Sequence, residues 1–124
     1  MTYNFKKQLK SFGYAWRGLC QCVGHEQNLG THLVVAVVVV IAGALLGLNP
    51  IEWVAVCLCI GLVVAAELVN TALERLVDLV SPQHHPLAGQ VKDIAAGAVL
   101  VCAMAAAVAG LIIFVPKIIA LCGT

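Results

Sequence analysis

Glu67, Asn70, Thr71, Glu74 and Asp78 lie together in the run Glu67-Leu-Val-Asn70-Thr71-Ala-Leu-Glu74-Arg75-Leu-Val-Asp78. Three carboxylates, an amide and a hydroxyl thus occupy the end of a stretch that otherwise reads as a membrane-crossing helix. Ionisable groups at such depth are costly and are rarely present by accident. Glu67, Glu74 and Asp78 are spaced i, i+7 and i+11, which at 100° per residue keeps their directions within roughly 40° of each other. Asn70 and Thr71 flank the same stripe. Carboxylates gathered in this way either bind a cation or share protons.

The elements that carry this stripe follow from composition. The chain has 124 residues, of which 62% are hydrophobic and 10% charged. A soluble domain of that size cannot hide so much apolar surface, so the bilayer is the expected solvent. Residues 1–124 read as one membrane domain. A net charge of +1 leaves no nucleic-acid footprint. The early lysines are not followed by a compact apolar stretch with a small-residue cleavage site, so no cleaved signal peptide is expected. Six cysteines include two C-x-C pairs, Cys20/Cys22 and Cys57/Cys59. Residues i and i+2 of a helix point in different directions and the spacing is not that of a zinc site, so these cysteines read as small apolar side chains.

The expected fold is an all-α membrane protein with an amphipathic N-terminal surface helix and three transmembrane helices. Phe5, Leu9, Phe12, Trp16, Leu19 and Val23 form one apolar face over 5–23, with Lys6, Lys7, Lys10 and Arg17 elsewhere on the helix, a pattern that suits the membrane interface. A polar linker from Gly24 to Thr31 leads to a first span at 32–48. Gly43 and Gly47 form a small-xxx-small pair that would admit another helix closely. Asn49-Pro50 marks a turn, and Trp53 sits where an interfacial aromatic belongs. Glu52 reads as a charge favoured near a helix N-terminus. The second span, 51–80, ends at Ser81-Pro82. A loop, Gln83 to Gln90, precedes a third span at 92–115 that starts with Lys92 and Asp93 and is closed by Pro116-Lys117. Basic residues cluster before the first span and around the 83–90 loop, which places both on the cytoplasmic side.

A polar cluster at the boundary of water and lipid suits a soluble charged substrate meeting a lipid one. Two or three carboxylates and a lysine make a Mg²⁺-nucleotide site conceivable, because Mg²⁺ takes one or two protein carboxylates plus phosphate oxygens. A further carboxylate beside a hydroxyl can accept its proton. No Gly-x-x-x-x-Gly-Lys loop is present. The same residues also fit a small oligomeric channel or ion-coupled carrier, or an accessory membrane subunit. Asp78 can pair with Arg75 or stay hydrated, and the adjacent His84 and His85 read as solvated loop residues rather than zinc ligands.

The pattern Glu67-x-x-Asn70-Thr71-Ala72-Leu73-Glu74-x-x-Val77-Asp78 resembles the signature of the prokaryotic diacylglycerol kinase family, which includes undecaprenol kinases. The resemblance extends to Gly13-Tyr14-Ala15-Trp16-Arg17-Gly18, to Glu26-Gln27-Asn28, and to His85-Pro86-Leu87-Ala88 followed by Lys92-Asp93-Ile94-Ala95-Ala96-Gly97, and so covers most of the chain. It implies a homotrimeric inner-membrane lipid kinase that uses Mg·ATP, with active sites shared between protomers and facing the cytoplasm. It implies Glu67 as general base, Glu26 and Glu74 as metal-binding glutamates, and Lys92 and Asp93 as nucleotide contacts. Lys7, Tyr14, Gln83, His84 and His85 match further nucleotide contacts, and Asn70 and Asp78 supporting positions. Leu29-Gly30 stands where relatives often carry a basic residue, and Ala15 where some carry Ser. The Glu26-x-Asn28 and His85-Pro86-Leu87-Ala88 segments are more similar to the undecaprenol kinases, so the implied acceptor is a lipid alcohol, undecaprenol or diacylglycerol.

Overall fold

The computed structural model describes residues 2–123. It contains four helices: α1 (Phe5–His25), α2 (Gln27–Leu46), α3 (Pro50–Val80) and α4 (Pro86–Cys122). The last three are long and apolar enough to cross a membrane. The 31 residues of α3 make a rod of roughly 46 Å at 1.5 Å per residue, well beyond a hydrocarbon core of about 30 Å.

Local chemistry sets the helix ends. Asn4 caps α1, its side chain accepting from the Lys7 amide at 3.2 Å. Only Glu26, extended at φ −108° and ψ 113°, separates α1 from α2. The expected eight-residue polar linker is therefore absent. Gln27 to Thr31 is helical, because polar side chains at a helix entrance cost little while each added turn satisfies backbone groups. Gly47 ends α2 in the left-handed region at φ 75°, with its amide on the Gly43 carbonyl at 3.0 Å, the conformation glycine adopts most readily at a helix end. Asn49 and Glu52 then form a reciprocal capping box at the start of α3, the two bonds measuring 2.8 and 3.0 Å, with Pro50 in the first turn.

Gly43 is held by this turn rather than by a remote helix. A Cβ there would lie 2.8 Å from Leu48 Cδ1 and 2.9 Å from Trp53 Cη2. Helix α4 departs from the expected segment at both ends. It begins at Pro86, whose missing N–H suits the first helical position, with the His85 imidazole accepting from the Leu87 amide at 3.1 Å. It also runs through Pro116 to Cys122. Pro116 does not close it. The residues beyond stay helical, and Lys117 Nζ reaches Glu52 at 3.0 Å, tying the end of α4 to the start of α3.

Helix α3 is central: it packs most extensively on α4, then on α2, while α1 touches α2 and α3 only lightly. Its buried residues are Val56, Val63, Glu67, Asn70 and Thr71, one helical stripe that is apolar in its first half and polar in its second. The single chain exposes 9219 Å², whereas a soluble monomer of 13.0 kDa exposes roughly 6,300 Å². The excess is largely apolar, including Val34, Val38, Leu58, Leu62, Leu100 and Met104, which is what a bundle solvated by lipid requires. The apolar residues of α1 named above are likewise exposed on the single chain.

Gly43→Ala is expected to lower the midpoint of thermal unfolding in detergent, by an overpacking cost of about 1–3 kcal/mol. An unchanged midpoint would show that Leu48 and Trp53 move aside freely.

Candidate functional site

The polar half of the α3 stripe is the chemical centre of the bundle. Glu67, Asn70 and Thr71 are the buried polar side chains among the described residues, at 3%, 5% and 2% exposure. Leu29, Cys22, Ala95 and Val99 are buried too, so α1, α2 and α4 all contribute to the cover over this end of the bundle. Glu67 Oε2 lies 3.8 Å from His32 Nε2 on α2. Asn70 donates from Nδ2 to Glu74 Oε1 at 3.3 Å, while its own Oδ1 is buried with no hydrogen-bond partner. An orphaned buried acceptor costs about 1–3 kcal/mol, so such atoms are expected where a water, a ligand or another chain completes the bond.

Two ion pairs frame this core. Arg75 Nη2 meets Glu26 Oε1 at 3.4 Å, joining α3 to the α1–α2 break. Lys92 Nζ meets Asp78 Oδ1 at 2.5 Å, joining α4 to α3. The Arg75–Asp78 pairing considered from sequence is thus replaced: both residues find partners on other segments. Lys92, expected at phosphate, stands here against a carboxylate and remains about two-fifths exposed.

The other candidates are less gathered. Lys7, Gln83, His84 and Asp93 are exposed. Tyr14 is exposed and lies under the Arg17 guanidinium, 5.5 Å from ring centre to Cζ. His85 is engaged as the cap of α4 through Nδ1, which fixes its ring while leaving Nε2 available. Among the described residues, no group of three His, Cys, Asp or Glu side chains is close enough to hold a metal. Glu26 and Glu74 are instead two separate oxygen donors. Hard carboxylate oxygens fit Mg²⁺, which ordinarily keeps waters and takes phosphate oxygens as further ligands.

An apolar groove of about 250 Å³ runs between α2, α3 and α4, lined by Val35, Val39, Val63, Ala107 and Phe114 among others. His32 lies at its end near Glu67 and is its one ionisable side chain apart from the Cys59 thiol. In sequence His32 stands only as the first residue of the expected span at 32–48. An imidazole in the first turns of an apolar helix is a signal in itself, but nothing in the sequence says which helix it meets. Arg75 was likewise legible as a charge and not as the partner of Glu26.

A buried carboxylate, an orphaned amide and ion-paired cations at one end of an apolar helical bundle define a membrane protein with a polar site at the edge of its spans. Comparison with known sequences is specific. Residues 13–114 match the prokaryotic diacylglycerol kinase family. The chain is 46% identical over 109 residues to a Bacillus subtilis protein named undecaprenol kinase, covering 88% of this chain and 89% of that one. It is 41% identical over 114 residues to a Synechocystis diacylglycerol kinase, covering 91% of this chain and 65% of the relative. It is 29% identical over 107 residues to the Escherichia coli K12 diacylglycerol kinase, covering 86% and 88%. The chain belongs to the prokaryotic diacylglycerol kinase family and is a lipid kinase.

Asn70→Leu separates fold from chemistry. It removes an orphaned acceptor along with one 3.3 Å hydrogen bond, and those effects offset. Thermal stability is expected to change by less than about 1 kcal/mol, while lipid phosphorylation falls at least tenfold. A large loss of stability with specific activity retained would assign Asn70 to the scaffold.

Proposed function

We propose that this kinase transfers the γ-phosphate of Mg·ATP to the hydroxyl of a long-chain lipid alcohol, undecaprenol in preference to diacylglycerol, at the cytoplasmic face of the bacterial inner membrane. The observation that carries this reading is Glu67. It is a carboxylate at 3% exposure, linked through His32 to the inner end of an apolar groove. A hydrocarbon chain lying along that groove brings its hydroxyl end toward the base. The relative named undecaprenol kinase, at 46% identity, supports the choice of lipid.

In this mechanism Glu67 takes the proton from the lipid hydroxyl as the oxygen attacks the γ-phosphorus in line, and ADP leaves. Glu26 and Glu74 would hold Mg²⁺, which when bound offsets charge on the phosphates. Asn70 holds Glu74 in place through its amide. Lys92 exchanges Asp78 for phosphate oxygens, a modest cost for an ion pair this exposed. Asp93, Lys7, Tyr14, Gln83, His84 and His85 line the path of the nucleotide.

Positive charge supports the orientation. Lys6, Lys7, Lys10 and Arg17 precede α2, and Arg75 and Lys92 bracket the α3–α4 loop, so these ends face the cytoplasm. Helix α1, with its exposed aromatic face, lies along the inner headgroups. Membership of the prokaryotic diacylglycerol kinase family supports a homotrimer in which neighbouring protomers finish each site.

The test is transfer of ³²P from γ-labelled ATP into organic-extractable lipid, with undecaprenol and diacylglycerol compared in the same mixed micelles. Undecaprenol is expected to give at least tenfold higher kcat/KM; equal or reversed values would overturn the lipid assignment. Glu67→Gln is expected to abolish turnover with ATP affinity within threefold of wild type, and persistent turnover would remove Glu67 as base. Glu74→Ala is expected to weaken Mg·ATP binding at least tenfold by calorimetry. If it binds as wild type does, Glu74 is not a metal ligand.

A further inference from the structure

Glu67 is the one charged side chain among the described residues that is buried. The other carboxylates of this region have polar partners: Glu26 has Arg75, Glu74 has Asn70 and Asp78 has Lys92. Glu67 receives no hydrogen bond from any side chain or amide among the described residues, and its single ion-pair contact is His32. At 3.8 Å the two groups are too far apart for a direct hydrogen bond. They are close enough for an imidazolium to act as counter-charge, and burial strengthens that effect because little water screens it. The imidazole is three-quarters covered and also forms part of the groove wall. It therefore touches both the space suited to a hydrocarbon chain and the carboxylate that would act on the end of that chain.

We propose that His32 is a positioning residue for phosphoryl transfer, the cation that compensates the Glu67 carboxylate beside the inner end of the groove. The inference rests on Glu67 being the base. A buried carboxylate with no compensating cation is costly, and without that neighbour nothing holds its oxygens toward the end of the groove where the hydroxyl arrives. Loss of His32 therefore acts on the chemical step. His32 lies on α2, away from Gln83 and His84 in the α3–α4 loop and from Lys92 and Asp93 on α4, so its loss leaves ATP binding largely untouched. The lipid end is different: the imidazole lines the groove, so lipid KM shifts with side-chain bulk whether or not charge is restored.

The experiment measures kcat, lipid KM and ATP KM for full-length His32→Leu, His32→Gln and His32→Lys in mixed micelles, with Glu67→Gln assayed alongside. Leu and Gln are expected to lower kcat at least tenfold with ATP KM within twofold of wild type, and Lys, which restores a cation, to recover kcat to within about threefold. An unchanged ATP KM certifies that a variant is folded, and Gln, close to His in size and polarity, stands in should Leu prove unstable. Wild-type kcat in the Gln variant overturns the proposal. So does a Lys variant as slow as the Gln variant, since that pattern belongs to a packing residue. If Glu67→Gln itself turns over, the base assignment fails; if Glu67→Gln is inactive and the His32 variants are normal, only the role of His32 fails.

Discussion

A carboxylate placed inside an apolar helical bundle must be compensated, and the rest of this structure is arranged around that requirement. The buried stripe of α3 starts as an ordinary apolar seam at Val56 and Val63 and becomes Glu67, Asn70 and Thr71 without leaving the same face. Burial of a lone ion in such surroundings is prohibitive, while burial beside a polar partner and close to water costs less. The length of α3 helps. A rod this much longer than the hydrocarbon core carries its polar half to the headgroup region, where a charged nucleotide and a lipid hydroxyl can both arrive.

Compensation also knits the fold. Each acidic group of the cluster is tied to a neighbour: Glu67 to His32 on α2, Glu74 to Asn70 on α3, Glu26 to Arg75 across the α1–α2 break, Asp78 to Lys92 on α4. The opposite end of the bundle is fastened by different means. There the Asn49–Glu52 box, the Glu52–Lys117 pair and the close approach of Leu48 and Trp53 to Gly43 hold α2, α3 and α4 together. Between the two fastened ends α2 and α4 barely touch, and the groove occupies that middle ground. A bundle fixed at both ends and open in the middle can admit a flexible hydrocarbon chain without giving up its frame.

The all-helical class and the three apolar segments were legible because a 20-residue apolar run has few alternatives. The carboxylate stripe was legible because helical periodicity puts Glu67 and Glu74 on one face whatever surrounds them. What sequence did not disclose was long-range. The spacing of Glu26 and Arg75, 49 residues apart, carries no hint of their pairing. His32 stands out in sequence as an imidazole in an apolar helix, but its neighbour Glu67 follows only from the packing of α2 on α3. Local expectations failed where composition pointed one way and backbone satisfaction another. The polar stretch after Gly24 stayed helical apart from Glu26, and Pro116 did not stop α4, because a proline removes one hydrogen bond while the rest of the helix, pinned by Lys117, keeps the others.

The pairings seen here also bear on how a triphosphate could enter. Arg75 and Lys92 each hold one carboxylate, while Glu74 has only the neutral Asn70 amide and Glu67 only an imidazole, so the site keeps a surplus of negative charge that suits an incoming divalent cation. An arriving Mg·ATP brings both signs, with phosphate oxygens for Lys92 and a divalent cation for Glu26 and Glu74. Under the proposed mechanism, binding is then an exchange of partners rather than a creation of new charge. Each exchanged pair is partly exposed and individually weak, so the exchange is inexpensive. Glu67 takes no part in it. Under the same mechanism Glu67, buried at 3% exposure, is left to the hydroxyl that arrives from the lipid side.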